Sequence, residues 1–323
     1  MTRAGLIALC SVLFCAATFT VPAHGEDYPA RPVRVIVGFP AGAAADISAR
    51  VVGQQMGQLL GQQLVIENKP GAGSNLAAEL VARAPNDGYM LLMGTIANAI
   101  NAVVKPNLDF AFPADFAPII RLTTTPEILV VHPSVGVKTV HELIELARAK
   151  PDQLFYASSG VATGNHLAAE LFKVLTGTRI VHVPYAGSPP AVTDLLAGRV
   201  QIFFSPASTV VEHVRAGKLV ALASTEAKRT AIAPELPTMV EAGVPGFETG
   251  LWFGLLAPAG TPRDVVTKLA SAGNKSLGSD QVVKPLAQQG IDPVGGTPEE
   301  FARYIDADMR RWEKVAAQAG LKN

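Results

Sequence analysis

Two loops of small residues, each leading directly into a helical pattern, are the segments of this chain best suited to hold a ligand. The first is Gly42-Ala43-Ala44-Ala45 and the second is Ser158-Ser159-Gly160. The first N–H groups of a helix lack intrahelical partners and carry a partial positive charge. Because small side chains let an anion approach that backbone, a carboxylate or phosphate could bind there without arginine or lysine. For one loop alone, an ordinary strand-to-helix connection capped by Asp46 or Thr163 is the better interpretation. Two such loops at equivalent positions favour a binding cleft.

Signatures of catalysis are weak in this sequence. It contains no Gly-x-Ser-x-Gly elbow, and the helix start at His141 lacks the second histidine of a zinc protease. Ser158 or Ser159 with His166 could form a nucleophile–base pair. His166 is better explained as a polar wall in the first helical turn beside the second loop. We therefore predict that the protein is not an enzyme, and an exported α/β hydrolase is the disfavoured alternative.

Composition narrows the class of protein. The chain has 323 residues, and its 27 Lys and Arg balance 27 Asp and Glu, which gives zero formal net charge. A nucleic-acid binder needs a basic surface, so no nucleic-acid partner is expected. The content of 49% hydrophobic and 17% charged residues excludes a disordered chain. The histidines after residue 25 show no metal-ligand spacing, so we expect no metal and no other cofactor.

The first 25 residues have the pattern of a secretory signal peptide. They begin with Arg3, continue apolar to Phe19, and end with the small residues Ala23 and Gly25 at the minus-three and minus-one positions. Cleavage near Gly25 would export the mature chain to the periplasm. A membrane anchor is the alternative, but the apolar run is shorter than the ~20 residues that span a bilayer.

Both cysteines, Cys10 and Cys15, lie in this first segment. The mature chain would therefore have no disulfide, no cysteine nucleophile and no cysteine metal ligand. A lipid-attachment site at Cys15 is disfavoured, because Phe14 is bulky where a small residue is expected.

The order of elements repeats within the chain. From residue 34 to 95, and again from 154 to 206, the pattern predicts a strand, a glycine loop, a helix, a strand, a Pro-x-x-Gly turn, a helix and a strand. Alternating strands and helices with short connections indicate a mostly parallel sheet flanked by helices. Two copies predict an α/β protein of two similar lobes. Ligands of such sheets bind beyond the carboxyl ends of the strands, where both loops lie.

The lobes are expected to be built from discontinuous segments. The first lobe would contain residues 26–124 and 225–323, and the second would contain residues 125–224. The crossing segments Thr123–Pro126 and Ser224-Thr225 are then the hinge candidates.

Two apolar features lie in the C-terminal part. The final helix carries a stripe that we assign to packing: Phe301, Ile305, Met309 and Trp312. Trp252-Phe253 lies where the chain would return to the first lobe. This pair fits a lobe core and a cleft wall equally well.

A series of short motifs covers nearly the whole chain after residue 25. They are Tyr28-Pro29-x-Arg31-Pro32-Val33-Arg34, Val65-Ile66-Glu67-Asn68-Lys69-Pro70-Gly71-Ala72-Gly73, Asp87-Gly88-Tyr89, Tyr156-Ala157-Ser158-Ser159-Gly160, His182-Val183-Pro184-Tyr185, Leu195-Leu196-Ala197-Gly198, Pro237-Thr238 and Gly295-Gly296-Thr297-Pro298. With them the chain resembles the Bug family of periplasmic solute receptors, the extracytoplasmic binding components of tripartite tricarboxylate transporters. The resemblance implies a two-lobed Venus-flytrap architecture, similar to the type II periplasmic binding proteins, that captures a small carboxylate. It also implies delivery to integral membrane transporter subunits, and we expect the receptor to be a monomer.

The family's ligand loops match residues 39–46 and 158–166 of this sequence, and further walls fall near Thr95, Tyr185 and Ser205. The predicted ligand-binding residues are Phe39, Gly42, Ala43, Ala44, Ala45, Asp46, Thr95, Asn98, Ser158, Ser159, Gly160, Thr163, His166, Tyr185, Ser188 and Ser205. Phe39 and Tyr185 are expected to stack on the ligand. Asp46 is expected to cap its helix and hold the loop, because an ionised carboxylate aimed at an anion would repel it.

Three departures from the family pattern bear on the ligand. Ala43-Ala44-Ala45 replaces two common hydroxyl donors, Val161-Ala162-Thr163 replaces Asn-Gly-Thr, and Ser205 stands where an aspartate is often found. Each change removes a polar or charged group, and an unpaired charge buried in the cleft would be costly. We expect a ligand with one main carboxylate and a largely apolar remainder, such as an aromatic or aliphatic acid. A receptor that signals to a membrane sensor would use the same cleft and is the alternative function.

Overall fold

The computed structural model of this protein describes residues 28–105 and 107–318. The predicted signal peptide of residues 1–25, with both cysteines, lies outside these described residues. The strands are β1 (Val33–Val37), β2 (Leu64–Asn68), β3 (Met90–Thr95), β4 (Phe116–Thr125), β5 (Glu127–Val131), β6 (Phe155–Ser158), β7 (Val181–Pro184), β8 (Ile202–Pro206), β9 (Val220–Ser224), β10 (Leu251–Pro258) and β11 (Asp292–Pro293). The α-helices are α1 (Ala44–Leu60), α2 (Asn75–Ala82), α3 (Ile96–Val104), α4 (Val140–Ala149), α5 (Gly164–Thr176), α6 (Ser188–Leu196), α7 (Ala207–Arg215), α8 (Arg263–Leu277), α9 (Asp280–Gln288) and α10 (Pro298–Gln318).

Two sheets with the same strand order organise the chain. The first has the order β2-β1-β3-β10-β4-β11, and the second has the order β7-β6-β8-β5-β9. In each sheet the first three strands are parallel, and the next strand, β10 or β5, is antiparallel to both of its neighbours. The predicted α/β architecture of two similar, mostly parallel sheets is confirmed. The central antiparallel strand in each sheet follows a crossing between the sheets and lay outside the predicted repeat.

Local signals set the ends of the helices. Helix α1 ends at Gly61, whose φ of 74° is left-handed, a conformation that glycine adopts without the strain of a Cβ atom. Helix α10 follows a capping box. There Thr297 Oγ1 accepts a hydrogen bond from the Glu300 N–H at 3.1 Å, and Glu300 Oε2 accepts one from the Thr297 N–H at 2.8 Å.

The apolar stripe of α10 packs in the core of the first sheet. Phe301, Ile305 and Trp312 are at most 2% exposed, and Met309 packs at the margin of the same cluster. The Trp252 ring meets the Phe301 ring edge to face, with their centroids 5.5 Å apart. The stripe therefore packs against the lobe, and Trp252 belongs to the lobe core.

The segment between β9 and β10 packs on the second sheet. Met239, Val244 and Phe247 belong to the core cluster around that sheet, and the Met239 N–H donates to the Ser224 carbonyl at 2.8 Å. The chain joins the first sheet again at Leu251, where β10 begins. We therefore propose that the second lobe extends to about residue 250 instead of the expected limit of 224, because these side chains are buried against the second sheet.

The segments that cross between the sheets lie side by side. Strand β4 ends at Thr125, β5 begins two residues later, and β9 ends at Ser224. The Thr225 N–H donates to the Glu127 carbonyl at 3.0 Å, and Thr225 Oγ1 donates to the Thr249 carbonyl at 3.0 Å. The first crossing falls at the hinge candidate Thr123–Pro126, whereas the chain returns to the first sheet near residue 250 and not at the expected Ser224-Thr225. Hinge movement at either crossing stays a prediction.

A buried carboxyl group lies at this crossing. Glu127 is fully buried; its Oε2 accepts a hydrogen bond from Thr249 Oγ1 at 3.0 Å, and its Oε1 has no hydrogen-bond partner in the described part of the chain. Burial raises the pKa of Glu127 to about 8, against the opposing effects of Thr249 and Arg311. Burial and nearby carboxylates also raise the pKa of Glu226, on the returning segment, to about 7. Both crossings therefore hold a carboxyl group that retains its proton at unusually high pH.

Replacing Glu127 with glutamine is expected to flatten the pH dependence of stability. The folded protein holds a proton on Glu127 that the unfolded chain releases, so the free energy of unfolding should fall as pH rises from about 5 to about 8. Glu127→Gln removes the contribution of Glu127 to this pH dependence. The free energy of unfolding of the variant should still fall with pH, but less steeply, because Glu226 remains. Urea unfolding at several pH values measures both slopes. Glu145→Gln, at an exposed position of α4, is the matched control; equal slopes for wild type and Glu127→Gln would contradict the prediction.

Candidate ligand-binding site

A cavity lies between the carboxyl ends of the strands of the two sheets. Its walls come from the starts of α1, α3, α5 and α6, from the end of β8 and from the start of β10. The lining residues are Phe39, Ala43, Ala44, Ala45, Thr95, Ile96, Ala97, Ser159, Thr163, Gly164, Asn165, Ser188, Pro206, Leu251 and Phe253. None of these lining residues carries a charged side chain. The cavity is therefore an apolar chamber with a few hydroxyl and amide groups.

Helices α1 and α5 open on this cavity from opposite sheets without side-chain caps. Within the described structure, the side chains of the cap residues Ala43 and Thr163 accept no hydrogen bond from the backbone N–H groups of the first helical turn. Helix α3 differs, because Thr95 and Asn98 form a capping box on it. The N–H groups at the starts of α1 and α5 are consequently available to a negatively charged group.

The first loop is held by a buried aspartate on the side away from the cavity. Asp46 Oδ2 accepts a hydrogen bond from the Gly42 N–H at 3.0 Å, while Oδ1 accepts hydrogen bonds from Arg50 Nε and Asn68 Nδ2, both at 2.9 Å. Burial opposes ionisation, but these three donors together lower the pKa of Asp46. The cap position of α1 is Ala43, so Asp46 holds the loop from inside the helix instead of occupying the cap position that was expected.

The second loop is held by a hydrogen-bond network among its own polar groups. Asn165 Oδ1 accepts a hydrogen bond from the Ser159 N–H at 3.0 Å, and Asn165 Nδ2 donates to Ser159 Oγ at 2.8 Å. Ser159 Oγ also lies 2.8 Å from Ser188 Oγ, at the start of α6. Thr163 Oγ1 lies 2.7 Å from the Gly160 carbonyl oxygen. The hydroxyl groups that face the cavity are thus fixed before any ligand arrives.

The histidines near the second loop support it from behind. His166 Nδ1 accepts a hydrogen bond from the Ala162 N–H at 3.2 Å, and the His166 ring stacks on the His182 ring with centroids 4.2 Å apart. Ser158 Oγ is buried and lies 2.6 Å from His182 Nε2. Burial lowers the pKa of His166, and burial together with His166 lowers the pKa of His182 to about 4. Both rings are therefore neutral at ordinary pH.

This geometry separates the serines from the base proposed for them. Ser158 pairs with His182 instead of His166, and its hydroxyl is buried outside the cavity. Ser159 is bonded to Asn165 and Ser188. The nucleophile–base pair considered from the sequence is not formed by His166 with either serine.

The predicted site residues fall into three groups. Those that line the cavity are Phe39, Ala43, Ala44, Ala45, Thr95, Ser159, Thr163 and Ser188. Gly160 and Tyr185 line a second cavity beside it. The residues that line neither cavity are Gly42, Asp46, Asn98, Ser158, His166 and Ser205.

The residues outside the cavities are turned away by specific bonds. Asn98 Oδ1 accepts a hydrogen bond from the Thr95 N–H at 3.0 Å. Ser205 Oγ lies 2.8 Å from Thr209 Oγ1 in the next helix, and Gly42 is exposed on the outer side of the first loop. The Tyr185 hydroxyl donates to Asp194 Oδ2 at 2.9 Å, which holds its ring in the second cavity. Tyr185 therefore does not flank the main chamber as expected.

Strand β10 contributes wall residues that were not among the predicted ligand-binding residues. Leu251 and Phe253 line the cavity, whereas Trp252 between them is fully buried in the lobe core. Successive side chains of a strand point to opposite faces. This alternation along β10 was the sequence signal that could have identified Leu251 and Phe253 as wall residues. Of the pair Trp252-Phe253, Trp252 therefore belongs to the lobe core and Phe253 to the cleft wall.

The two lobes touch at the rim of the cavity. Asn101 Nδ2, on α3, donates to the carbonyl of Ala162 in the second loop at 3.1 Å. A Cβ atom on Gly187 would lie 2.5 Å from Pro40 Cδ, and one on Gly164 would lie 2.5 Å from Leu251 Cδ2. The lobes therefore adopt a closed arrangement in which glycine allows close approach.

Fold and site together define a two-lobed solute-binding protein of the periplasmic-binding-protein class. None of the helices in the described residues is long and apolar enough to cross a bilayer. Residues 48–321 match the family described as "Tripartite tricarboxylate transporter family receptor". The chain belongs to this family, whose members include the Bug receptors.

Similar proteins support this assignment. The chain is 34% identical to protein BugT of Bordetella pertussis, over 100% of this chain and 99% of BugT. Among solved structures, "R. palustris Rpa4515 with adipate" is 40% identical with a TM-score of 0.88, over 91% of this chain and 99% of that one. "MatC (Rpa3494) from Rhodopseudomonas palustris with bound malate" is 32% identical with a TM-score of 0.85, over 89% and 99% of the two chains. The family is one of solute-binding receptors, not enzymes.

Replacing Gly164 with alanine is expected to oppose closure of the lobes. Its Cβ would lie 2.5 Å from Leu251 Cδ2 and 3.1 Å from Ile96 Cγ2, both on the first lobe. Alanine favours the helix itself by ~1 kcal/mol, so α5 should remain folded. Overpacking costs ~1–3 kcal/mol, which corresponds to roughly 5- to 150-fold weaker acid binding in calorimetry.

Gly278→Ala is the control for this variant. Position 278 follows α8, and the nearest atom to its added Cβ is 3.8 Å away. Small-angle scattering with saturating acid should show a more extended Gly164→Ala protein than the control. Unchanged affinity and scattering would show that the contact with Leu251 does not limit closure.

Proposed function

We propose that this protein is a periplasmic receptor that captures a small organic acid between its lobes and delivers it to a tripartite tricarboxylate transporter. The observation that carries the proposal is the pair of uncapped helix starts, α1 and α5, that face one cavity from opposite sheets. Their N–H groups hold the ligand carboxylate through hydrogen bonds and the helix dipoles. Contacts to both lobes then favour the closed form, since a ligand shifts an equilibrium by its differential affinity.

The ligand is proposed to have one main carboxylate and a largely apolar remainder. The lining supports this, because Phe39, Ile96, Leu251 and Phe253 form much of the wall and no lining residue is charged. An ammonium group enclosed there would lack a counter-charge and would be disfavoured by its desolvation. The relative solved with adipate supports an aliphatic chain in the ligand, and adipate carries a carboxylate at each end of that chain.

A calorimetric panel tests this ligand class on the purified protein. Aliphatic and aromatic acids are expected to bind and to raise the melting temperature, while citrate and aspartate should bind weakly. Tight, selective binding of citrate or aspartate would refute the proposed class.

Ala44→Asp tests the carboxylate position in the same panel. It places a negative charge in the cavity wall beside the start of α1, so acid binding should be lost. Ala41→Asp is the matched control, because Ala41 lies in the same loop and is exposed. Equal affinity of the two variants for the acid would show that the ligand carboxylate does not bind at this loop.

Deletion of this chain from its host separates transport from sensing. If the protein is a transport receptor, deleting it should abolish high-affinity uptake of the labelled acid, and re-expressing it should restore that uptake. If the protein is a receptor for a membrane sensor, deleting it should leave uptake of the acid intact and abolish the transcriptional response to the acid. The second result would contradict the delivery proposed here.

A further inference from the structure

A second cavity lies beside the ligand chamber. The two cavities share Phe39 and Ser159 in their walls. The second is also lined from both lobes, by the loop 71–73 and Lys105 on one side and by Gly160 and Tyr185 on the other. The two spaces are neighbouring compartments of one interlobe cleft, and Phe39 lies between them.

Lys105 is a cation without a counter-charge in this second compartment. Its backbone N–H donates to the Asn101 carbonyl at 2.9 Å, at the end of α3. Among residues 28–105 and 107–318, its side chain has no hydrogen-bond or ion-pair partner, although it is partly buried. Burial lowers the pKa of Lys105, so an anion beside it would compensate for lost hydration.

Other charged groups near this compartment are already paired. The Tyr185 hydroxyl donates to Asp194, which also accepts from Arg199 Nη1 at 2.7 Å. In the first loop, Arg50 is paired with Asp46. A lysine at a helix end gains from the helix dipole whether or not a ligand is present. The helix dipole therefore explains a lysine at the end of α3, but it does not explain why the side chain lies partly buried between the two lobes, opposite Gly160.

We propose that Lys105 forms a second anion subsite, so that the cleft selects an extended acid with an anionic group at each end. One carboxylate would contact the starts of α1 and α5, the apolar chain would pass Phe39, and the distal carboxylate would pair with Lys105. This inference rests on the proposed function and adds to it Lys105 as the residue that sets a preference for α,ω-dicarboxylates over monocarboxylates of the same length in this chain.

The test compares two matched series by calorimetry. Unbranched dicarboxylates from succinate to sebacate are titrated alongside the monocarboxylates from butyrate to decanoate. In the wild type, a diacid of suitable length should bind about tenfold tighter than its monoacid partner, as a charge-assisted hydrogen bond contributes. In Lys105→Met this preference should disappear, because the diacids lose the charged partner of their distal carboxylate. Lys105→Arg should keep it.

Lys268→Met, at an exposed position of α8, controls for loss of a positive charge from the same lobe. If monoacids bind the wild type as tightly as diacids at every length, the subsite is refuted and the proposed receptor function stands. If Lys105→Met keeps the diacid preference, Lys105 is not the subsite. If no acid of either series or of the aromatic panel binds the wild type, the proposed function itself fails.

Discussion

The N–H groups at the uncapped starts of α1 and α5 are the constraint on which the binding site depends. A helix buried at its start normally satisfies these groups with a side-chain cap, as Thr95 and Asn98 do for α3. The starts of α1 and α5 lack such caps, and they face one cavity from two sheets. A carboxylate between them would satisfy donors from both lobes at once, and this links recognition of the anion to closure.

The shared strand order of the two sheets explains why these helix starts meet. In each sheet the ligand loops follow β1 or β6, and the central antiparallel strand, β10 or β5, is the one that enters after a crossing. The crossings are packed together through Thr225 and Glu127, so the lobes are joined along one edge and free to meet along the other. At the free edge, Gly164 and Gly187 leave room for the opposite lobe.

Several residues with catalytic chemistry are used here to hold the second loop. Ser158, His166 and His182 form a buried set of hydrogen bonds and stacked rings behind the loop. Asp46 has the corresponding role for the first loop, through Gly42 and Arg50. These groups support the backbone that lines the cavity, which explains why polar residues close to the site in sequence lie outside the chamber.

The sequence by itself determined the α/β repeat, the two glycine- and alanine-rich loops, and the packing stripe of α10. These features depend on local spacing, since periodicity and small residues before a helix act within one segment. The tertiary structure alone decided that Ser158 pairs with His182, that Leu251 and Phe253 line the cavity, and that Met239 and Phe247 pack on the second sheet. Each of these contacts joins residues that are distant in sequence, and which partner is reached depends on how the strands are ordered across the sheets. The direction of each loop side chain was likewise set by hydrogen bonds formed only in the folded protein.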